Sequence, residues 1–430
     1  MKVVGDDCKL TPYWWDHVPR PAIPEVEPPG IVDVAIIGSG YTGLHAALQT
    51  TRGGKSTAVF DAEDAGWGCS TRNGGQISTS IKPSYEQLAK RHGPQRACDI
   101  LKEGQRSLEF VNEFVAAERI DCDLRRVGRF HAAHNAAQYE ALARRTANLP
   151  KGLEADAQMV PRSEQRSEIG TDVYWGGAVY PQHCAIDPAR YHQGLLGRAQ
   201  AAGAQIVPRS AVTRLDRDGV GFRLTTARGT VRARDVVVAT NGYTGRSTPW
   251  LQRRVIPIGS YMIATEPLAA DLIARLMPKG RIVTDTRKVV YYYRLSPDRR
   301  RILFGGRVSH DETDPRVSAP LLHRDMVNVF PELAQTRVTH SWMGFIAYTF
   351  DEIMHVGKHD GVHYAMGYCG SGVGAASYFG MRIGQQVLGR AEGRTALDGL
   401  AFQTRPFYTG KPWFLAASIR YYRWRDRRPV

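Results

Sequence analysis

The feature that most constrains this chain is a glycine motif placed between a strand and a helix. Residues 32–37 (VDVAII) are almost entirely apolar, which favours a buried strand of a parallel sheet, and they lead directly into GSGYTG at 38–43. The following LHAALQTTR has helical spacing, and residues 57–60 form a second apolar run that ends at Asp61. Strand, glycine turn, helix and strand within about 30 residues predict a βαβ unit.

Each glycine of this motif has a physical role in dinucleotide binding. Gly38 permits the tight turn, Gly40 lets the backbone approach a pyrophosphate, and Gly43 lets helix and strand pack closely. The phosphates then lie at the helix N-terminus, and Asp61, 18 residues after Gly43, is placed to accept a ribose hydroxyl. Because that carboxylate repels a 2′-phosphate, the motif favours NAD or FAD over NADP; the alternative is a glycine-rich turn without a ligand.

Two further glycine-rich segments favour FAD. Residues 66–76 (GWGCSTRNGGQ) follow the second strand and place more bare backbone near the ligand, as close approach to a flat isoalloxazine ring requires. Residues 367–374 (GYCGSGVG) open the last long helix, whose N-terminus can stabilise the negative charge that a flavin gains on reduction. The sequence therefore predicts three separated stretches that converge on one flavin.

Composition is that of a globular protein. Of the 430 residues, 43% are hydrophobic and 23% charged, and no apolar run approaches the roughly 18–20 residues that a membrane helix needs. The N-terminal residues lack a secretory signal, and the six cysteines are scattered without a CxxC pair, so we expect a cytoplasmic protein without a metal. The net charge of +15 suits anionic small molecules, and nucleic acid is not expected as a partner.

Strand–turn–helix elements recur at the start, middle and end of the chain. They predict the α/β fold class: a Rossmann-like FAD-binding domain built from discontinuous segments, with an inserted α+β substrate domain that contains a mixed β-sheet. The expected division is an arm at 1–30, an FAD-binding domain at 31–110, 185–245 and 356–395, a substrate domain at 111–184 and 246–355, and a basic aromatic tail at 396–430. The tail suits peripheral contact with a membrane, a subunit or RNA; the alternative is a helix docked on the protein's own surface.

These segments together resemble the FAD-dependent amine and amino-acid oxidoreductases of the D-amino-acid oxidase superfamily, and most closely its gamma-glutamylputrescine oxidoreductase branch. The resemblance rests on DVAIIGSGYTGLHAAL, GWGCSTRNGGQ, YPQHCAIDPARYHQGLLGRA, VVVATNGYTG and GYCGSGVGAASYFG. PYWWD near the N-terminus and RPFYTGKPWF near the C-terminus add to it, so the motifs span nearly the whole chain in order.

The resemblance implies a set of contacts to FAD. The first motif would hold the pyrophosphate, Asp61 the adenosine ribose, the 66–76 loop the ring, Val212 the adenine, and residues 370–373 the pyrimidine end. The implied FAD-binding residues are Gly38, Ser39, Gly40, Tyr41, Thr42, Gly43, Asp61, Ala62, Trp67, Ser70, Thr71, Arg72, Asn73, Gly74, Gly75, Gln76, Val212, Thr240, Asn241, Gly242, Gly370, Ser371, Gly372 and Val373.

Two departures from relatives affect the chemistry. Some relatives attach flavin through a cysteine shortly before the last FAD segment, but residues 341–357 contain none, so we expect non-covalent FAD. The sarcosine oxidase branch carries a lysine that helps oxygen react, whereas the similar stretch here, 302–306 (ILFGG), has no lysine. The electron acceptor is therefore left open between oxygen and a quinone.

The implied reaction is FAD-dependent oxidation of the C–N bond of a small amine or amino acid, gamma-glutamylputrescine-like or an N-alkyl amino acid. Hydride would pass to flavin, and the imine would then hydrolyse. Arg307 is a candidate fork for a carboxylate, Tyr261 and Tyr291–Tyr293 are candidates to line an aromatic cavity, and Trp342 is a candidate to cover a flavin face. A surface ion pair, strand core and ordinary packing are the respective alternatives.

Two other functions stay open from the residues alone. One is a nicotinamide-dependent dehydrogenase that uses the same glycine motif, and the other is a non-catalytic flavoprotein that uses its basic tail. A yellow protein would exclude the first, and bleaching of its flavin by an amine would exclude the second.

Overall fold

The computed structural model describes residues 3–153, 156–307 and 313–426, which form an α/β protein with two large sheets. The strands are β1 (Val4–Lys9), β2 (Ile31–Ile37), β3 (Thr57–Phe60), β4 (Gln76–Ile77), β5 (Arg129–Ala132), β6 (Gln158–Val160), β7 (Gly177–Tyr180), β8 (Cys184–Ala185), β9 (Gln205–Val207), β10 (Arg214–Asp218), β11 (Gly221–Thr226), β12 (Gly229–Val238), β13 (Ile256–Thr265), β14 (Ile282–Asp285), β15 (Tyr292–Leu295), β16 (Ile302–Gly306), β17 (Val338–Tyr348), β18 (His355–His359) and β19 (Val362–Met366). The α-helices are α1 (Tyr41–Arg52), α2 (Tyr85–His92), α3 (Pro94–Ala117), α4 (Ala136–Ala147), α5 (Pro188–Ala201), α6 (Pro249–Gln252), α7 (Ala270–Leu276), α8 (Pro315–Val329), α9 (Gly372–Val387) and α10 (Leu415–Asp426).

The eight-stranded sheet contains the predicted βαβ unit. Its strands run in the order β10-β11-β12-β2-β3-β9, with β19 paired to β12 and β18 paired to β19. β2, β3, β9, β12 and β19 are parallel, and α1 connects β2 to β3. Val34, Ile36 and Val59 are fully buried, because helices cover this part of the sheet. The predicted α/β fold class is confirmed.

Helices α1, α3, α5 and α9 share one hydrophobic core with this sheet. α5 begins at an effective cap, since Oδ1 of Asp187 accepts hydrogen bonds from the backbone N–H groups of Ala189 at 3.0 Å and Arg190 at 3.1 Å. α3 continues past residue 110, where the sequence placed a domain boundary, and its Val111 and Phe114 lie in the same core. The division into two domains remains a prediction.

The nine-stranded sheet is the mixed sheet of the fold. Its order is β1-β17-β13-β16-β15-β14-β5-β7-β6. Most neighbours are antiparallel, whereas β1 with β17 and β14 with β5 are parallel. α8 packs across β13, β16 and β17, and the fully buried Tyr293 and Phe304 stack with their ring centroids 5.3 Å apart. β1 lies in the predicted N-terminal arm and forms one edge.

The C-terminal helix α10 docks on the protein's own surface. The carboxylate of Asp426 accepts hydrogen bonds from the backbone N–H groups of Lys288 at 3.2 Å and Val289 at 3.0 Å. The Arg423 guanidinium donates to the Arg307 carbonyl at 2.8 Å. Residues 427–430 of the predicted tail lie outside the described part of the chain. In that part, every helix is too short or too polar to pass through a lipid bilayer.

Candidate active site

A cavity of 1380 Å³ is lined by residues from both sheets, from α4, α9 and α10 and from the loops between them. Small-molecule pockets are typically about 300–1,000 Å³. This volume therefore has room for a dinucleotide and a further small molecule. The three glycine-rich stretches all reach the cavity, as the sequence predicts.

The first glycine turn leaves no room for a side chain at Gly38 or Gly43. Gly38 has a φ of +106°, and a Cβ there would lie 2.9 Å from the carbonyl oxygen of Ala239. A Cβ at Gly43 would lie 1.9 Å from the Gly38 carbonyl oxygen, which leaves no room for any side chain. α1 then starts after Gly40, and its N-terminus opens on the cavity, where the partial positive charge suits a pyrophosphate.

Asp61 directly follows β3 and lines the cavity, and its carboxylate also stabilises the glycine turn. Its Oδ2 accepts hydrogen bonds from the Ser39 backbone N–H at 2.8 Å and from the Ser39 hydroxyl at 2.5 Å. The Ser39 carbonyl in turn lies 2.8 Å from Nε2 of His192. Ser39 is fully buried, does not line the cavity and positions Asp61; its contact with a pyrophosphate stays a prediction.

Side chains of the loop at 66–76 hydrogen-bond to the backbone of the same loop and stabilise its conformation. The Asn73 amide donates to the carbonyls of Cys69 at 3.0 Å and Ser70 at 2.9 Å, and its Oδ1 accepts from Gly75 N–H at 2.8 Å. Arg72 donates from Nε to the Trp67 carbonyl at 2.6 Å. Its guanidinium carbon also lies 4.7 Å and 4.4 Å from the ring centroids of Trp15 and Trp67, respectively.

Two tryptophans hold this loop from behind. Nε1 of Trp342 donates to the Arg72 carbonyl at 2.9 Å, and Nε1 of Trp14 donates to the Asn73 carbonyl at 3.0 Å. Both side chains are fully buried and pack in one small core. Trp342 does not line the cavity, so the prediction that it covers a flavin face is not supported. Its indole N–H fixes the loop instead.

The N-terminus of α9 faces the cavity from another side. Gly370, Ser371 and Gly372 line it at the point where the helix begins. The preceding Tyr368 hydroxyl lies 2.7 Å from Oγ1 of Thr42 on α1, which ties the two helix starts together. The unpaired N–H groups at such a helix start favour negative charge on a bound group.

Most of the predicted residues reach the cavity. Those that line it are Gly38, Gly40, Tyr41, Thr42, Asp61, Ala62, Trp67, Ser70, Arg72, Asn73, Gly74, Gln76, Val212, Thr240, Asn241, Tyr292, Arg307, Gly370, Ser371, Gly372 and Val373. Those that do not are Ser39, Gly43, Thr71, Gly75, Gly242, Tyr261, Tyr291, Tyr293 and Trp342.

The residues outside the cavity have structural partners instead. The Thr71 hydroxyl accepts from Trp15 Nε1 at 2.9 Å, and the Gly75 carbonyl accepts from Arg294 at 2.8 Å. A Cβ at Gly242 would lie 2.7 Å from the Phe345 carbonyl oxygen. Tyr261 is fully buried in strand core, where its hydroxyl accepts from the Thr313 N–H at 2.8 Å.

Several cavity residues were missed by the sequence reasoning. Phe414, Leu415, Ser418, Ile419 and Tyr422, in and beside α10, form one wall. Three cationic residues, Lys82, Arg129 and Arg145, reach the cavity from a loop, a strand and a helix. The available signal was the alternation in RFHA at 129–132, which places Arg129 and His131 on one face of a strand.

The chain matches the FAD dependent oxidoreductase (DAO) family over residues 33–386, and it belongs to that family. It is thus an FAD-dependent oxidoreductase. The chain is 31% identical to gamma-glutamylputrescine oxidoreductase of Escherichia coli (strain K12) over 403 residues, which is 93% of each chain. It is also 31% identical to the probable oxidoreductase OrdL of Rhizobium meliloti (strain 1021) over 426 residues, 95% of each chain.

The fold is shared with solved structures at lower identity. The crystal structure of glycine oxidase from Geobacillus kaustophilus superposes with a TM-score of 0.74 at 19% identity, covering 88% of this chain and 99% of that one. L-proline dehydrogenase from P. horikoshii gives a TM-score of 0.69 at 15% identity, covering 91% and 99%. These structures confirm the predicted fold, and the family match confirms the predicted FAD dependence.

Proposed function

We propose that this protein oxidises the C–N bond of a small amine, gamma-glutamylputrescine-like or an N-alkyl amino acid, with FAD as hydride acceptor. The observation that carries the proposal is one continuous cavity of 1380 Å³, which is lined both by the three glycine-rich stretches and by strands of the nine-stranded sheet. The similarity to gamma-glutamylputrescine oxidoreductase over 93% of each chain supports the substrate class.

The residues of this chain would bind and orient the reactants. FAD, when bound, supplies the hydride acceptor for the carbon next to nitrogen. Asp61 would accept a hydroxyl of the adenosine ribose, and the start of α9 would stabilise negative charge at the pyrimidine end of the ring. Hydride leaves the carbon, a proton leaves the nitrogen, and water then converts the imine to a carbonyl compound and a shorter amine or ammonia.

Two groups are proposed to contact substrate near the ring. Tyr292 lies against the flavin loop, since a Cβ at Gly74 would be 3.1 Å from its ring, and its hydroxyl lies 2.8 Å from the Ser260 hydroxyl. Burial raises the pKa of Tyr292, so it stays protonated and can only donate or accept a hydrogen bond. Arg307 lines the cavity and donates to the Gly259 carbonyl at 2.8 Å, which fixes its guanidinium for a carboxylate.

Non-covalent attachment of FAD is part of the proposal. Cys369 is buried outside the cavity and points at the Gly367 carbonyl, 3.1 Å from its sulfur. Cys69 lines the cavity, but burial raises the pKa of its thiol to about 11, so it is not a nucleophile at neutral pH. Acid precipitation of the yellow protein should release all of its flavin into the supernatant.

Oxygen or a quinone is proposed as the electron acceptor. The sarcosine oxidase branch carries a lysine that helps oxygen react, whereas the similar stretch here, β16, has Phe304, Gly305 and Gly306. We therefore expect slow reaction of the reduced enzyme with oxygen. Stopped-flow mixing of the reduced enzyme with oxygen or with a soluble quinone measures the two rates directly. Reoxidation by oxygen at a rate that matches turnover would remove the quinone from the proposal.

The outer face of α10 is proposed as a peripheral contact. Tyr421 and Trp424 are 54% and 50% exposed, and Arg420 and Arg425 stand beside them. Aromatic and arginine side chains together suit the interface of an anionic membrane. Sedimentation with anionic vesicles tests this contact, and an oligomer in solution that buries the same side chains would indicate a subunit instead.

The experiment that tests the proposed reaction is anaerobic titration of the holoenzyme with a panel of amines and amino acids. Loss of the oxidised flavin absorption band, with a carbonyl product, is the expected result for an amine that the enzyme oxidises. A flavin that no amine or amino acid reduces would contradict the proposal and favour a non-catalytic flavoprotein.

A further inference from the structure

One arm of the cavity is lined by cations that the proposed reaction does not use. We call it the cationic arm and define it by Lys82, Arg129, His131 and Arg145. Lys82 lies in the loop that follows β4, Arg129 and His131 lie on β5, and Arg145 lies on α4. Elements distant in sequence thus bring three positive charges to one end of the cavity.

The strand β5 supplies the centre of the arm. Phe130 and Ala132 are fully buried in the sheet core, whereas Arg129 and His131 alternate with them and line the cavity. The Arg129 guanidinium donates from Nη1 to the Ser80 hydroxyl at 2.9 Å, and its central carbon lies 4.8 Å from the centroid of the Tyr180 ring. These contacts fix the guanidinium plane toward the open space.

The arm holds charge without a matching carboxylate. Over residues 3–153, 156–307 and 313–426, no acidic side chain lies within ion-pair distance of Lys82, Arg129 or Arg145, and Nε of Arg129 is buried without a hydrogen-bond acceptor. Glu86 on α2 interacts electrostatically with Arg145, but at a distance longer than an ion pair. Arg129 is partly buried, whereas Lys82 and Arg145 are exposed, so an anion that enters here gains charge-assisted hydrogen bonds chiefly from the Arg129 guanidinium, with the other two cations adding attraction.

The acids that line the cavity near the arm are already neutralised. Asp285 pairs with Arg287, and Glu352 pairs with Lys288 at 3.6 Å. His131 is hydrogen-bonded to the Thr284 hydroxyl at 2.9 Å. Burial, and then the charges of the three surrounding cations, lower its pKa well below the usual value, so it is neutral. The arm is therefore positive at neutral pH and can accept an anion.

The sheet gives the distance between the arm and the flavin loop. Residue pairs across the strands place His131 beside Thr284, and Thr284 beside Tyr292. Tyr292 lies against Gly74 of the flavin loop. β5 is two strand spacings from β15, which is roughly 10 Å. A group held in the arm is consequently several bonds away from a carbon that reacts beside Gly74.

We propose that the cationic arm binds a carboxylate of the substrate, placed several bonds from the oxidised C–N bond, and that it selects such amines against free diamines. This inference rests on the proposed function and names its substrate class more narrowly. An α-amino acid whose only carboxylate adjoins the reacting carbon cannot reach the arm. A free diamine carries only positive charge, which the three cations repel.

The first test compares two substrates on four holoenzymes. γ-Glutamylputrescine and N-acetylputrescine share the aminobutyl amide, but only the first carries a remote carboxylate. We expect Arg129→Gln to lower kcat/KM for the first by about 10- to 100-fold, mainly through KM, and to change the second by less than about 3-fold. Arg129→Lys should recover part of the loss, and Arg144→Gln, an exposed neighbour on α4 that does not line the cavity, should match the parent enzyme.

The second test does not depend on turnover. Hexanoate and hexanol are titrated into each holoenzyme by calorimetry, with flavin content and melting temperature checked first. Hexanoate should bind at least about 10-fold more weakly to Arg129→Gln than to Arg144→Gln, and hexanol equally to both. Equal hexanoate affinity for the two variants overturns the cationic arm as a carboxylate site. Arg129-dependent hexanoate binding in an enzyme that no amine reduces would instead leave the arm standing and contradict the proposed function.

Discussion

The two ends of the cavity are built in different ways. The end proposed to bind flavin, here the flavin end, is made largely of backbone: turns at Gly38, Gly43 and Gly370, the starts of α1 and α9, and a loop closed by the Asn73 amide. The end proposed to bind substrate, here the substrate end, is made of side chains that stand on strands and helices, such as Arg129 on β5 and Tyr292 on β15. Substitutions at the flavin end should therefore weaken FAD binding. Substitutions at the substrate end should alter selectivity among substrates and leave FAD bound, so that the enzyme stays yellow.

Gly43→Val should have the largest effect. Any Cβ at this position lies 1.9 Å from the Gly38 carbonyl oxygen, so α1 and β2 cannot keep their spacing. We expect a protein purified without flavin, whose affinity for added FAD falls by more than about 100-fold. Flavin fluorescence titration measures it. The control is Gly197→Ala on α5, where a Cβ meets nothing within 4 Å; a yellow Gly43→Val enzyme would contradict the description of this turn.

Asp61→Asn should have the next largest effect. It keeps the shape of the side chain but removes the charge that the Ser39 N–H and hydroxyl bind, and that a ribose hydroxyl would bind. Hydrogen bonds to charged groups contribute about 1.5–3 kcal/mol, so FAD affinity should fall about 10- to 100-fold. Equilibrium dialysis against FAD checks this. Asp216→Asn, at a partly exposed residue on β10, serves as the control and should retain the parent affinity.

Acidification tests whether two buried histidines outside the cavity lining, His45 and His183, are neutral in the folded protein. Burial lowers the pKa of His45 on α1 to about 3 and that of His183, whose Nε2 lies 3.2 Å from the Thr79 hydroxyl, to about 2. Both folded-state values lie below the unfolded value of 6.5, so the unfolded chain binds more protons, and stability is lost as the pH falls below 6.5. At pH 5.5 each histidine should lower the free energy of unfolding by about 1.4 kcal/mol.

Denaturant unfolding at pH 7.5 and 5.5 measures this loss. His45→Gln keeps a hydrogen-bonding group toward the Tyr191 hydroxyl, 2.9 Å from Nε2 in the parent chain, and removes the titration. Its stability should therefore fall less on acidification than that of the parent. An unchanged pH dependence in this variant would show that folding does not lower the pKa of His45.

Trp14→Phe should have the smallest effect, because it removes one hydrogen bond and keeps most of the ring packing. The lost bond is the one from Nε1 to the Asn73 carbonyl. A neutral hydrogen bond contributes about 0.5–1.5 kcal/mol, so FAD affinity should fall by about 2- to 10-fold and the flavin spectrum should shift. Trp413→Phe, at a tryptophan 71% exposed, is the matched control and should change neither quantity.

The flavin end could be predicted because its chemistry is local in sequence. A strand, a glycine turn and an acid at fixed spacing predict where a phosphate and a ribose would bind, the 66–76 and 367–374 stretches carry the same kind of signal, and all three stretches line the cavity. Individual orientations did not follow. Ser39 turns toward Asp61 rather than the cavity, and Trp342 turns toward the Arg72 carbonyl, because tertiary hydrogen bonds decide both.

The substrate end could not be predicted in the same way. Lys82, Arg129 and Arg145 form one arm only because the sheet order places β5 between β14 and β7, with α4 following. No spacing along the chain records that order. The docking of α10 has the same origin, since Asp426 finds the N–H groups of residues 288 and 289, far away in sequence.

The position of α10 bears on how the protein is prepared for study. Four of its residues, Leu415, Ser418, Ile419 and Tyr422, line the cavity. The helix ends at Asp426, whose carboxylate accepts hydrogen bonds from the backbone N–H groups of residues 288 and 289. An affinity tag fused after α10 would therefore lie close to the cavity and could disturb the hydrogen bonds of Asp426. Fusing the tag before β1, at the edge of the nine-stranded sheet, leaves that part of the cavity lining intact.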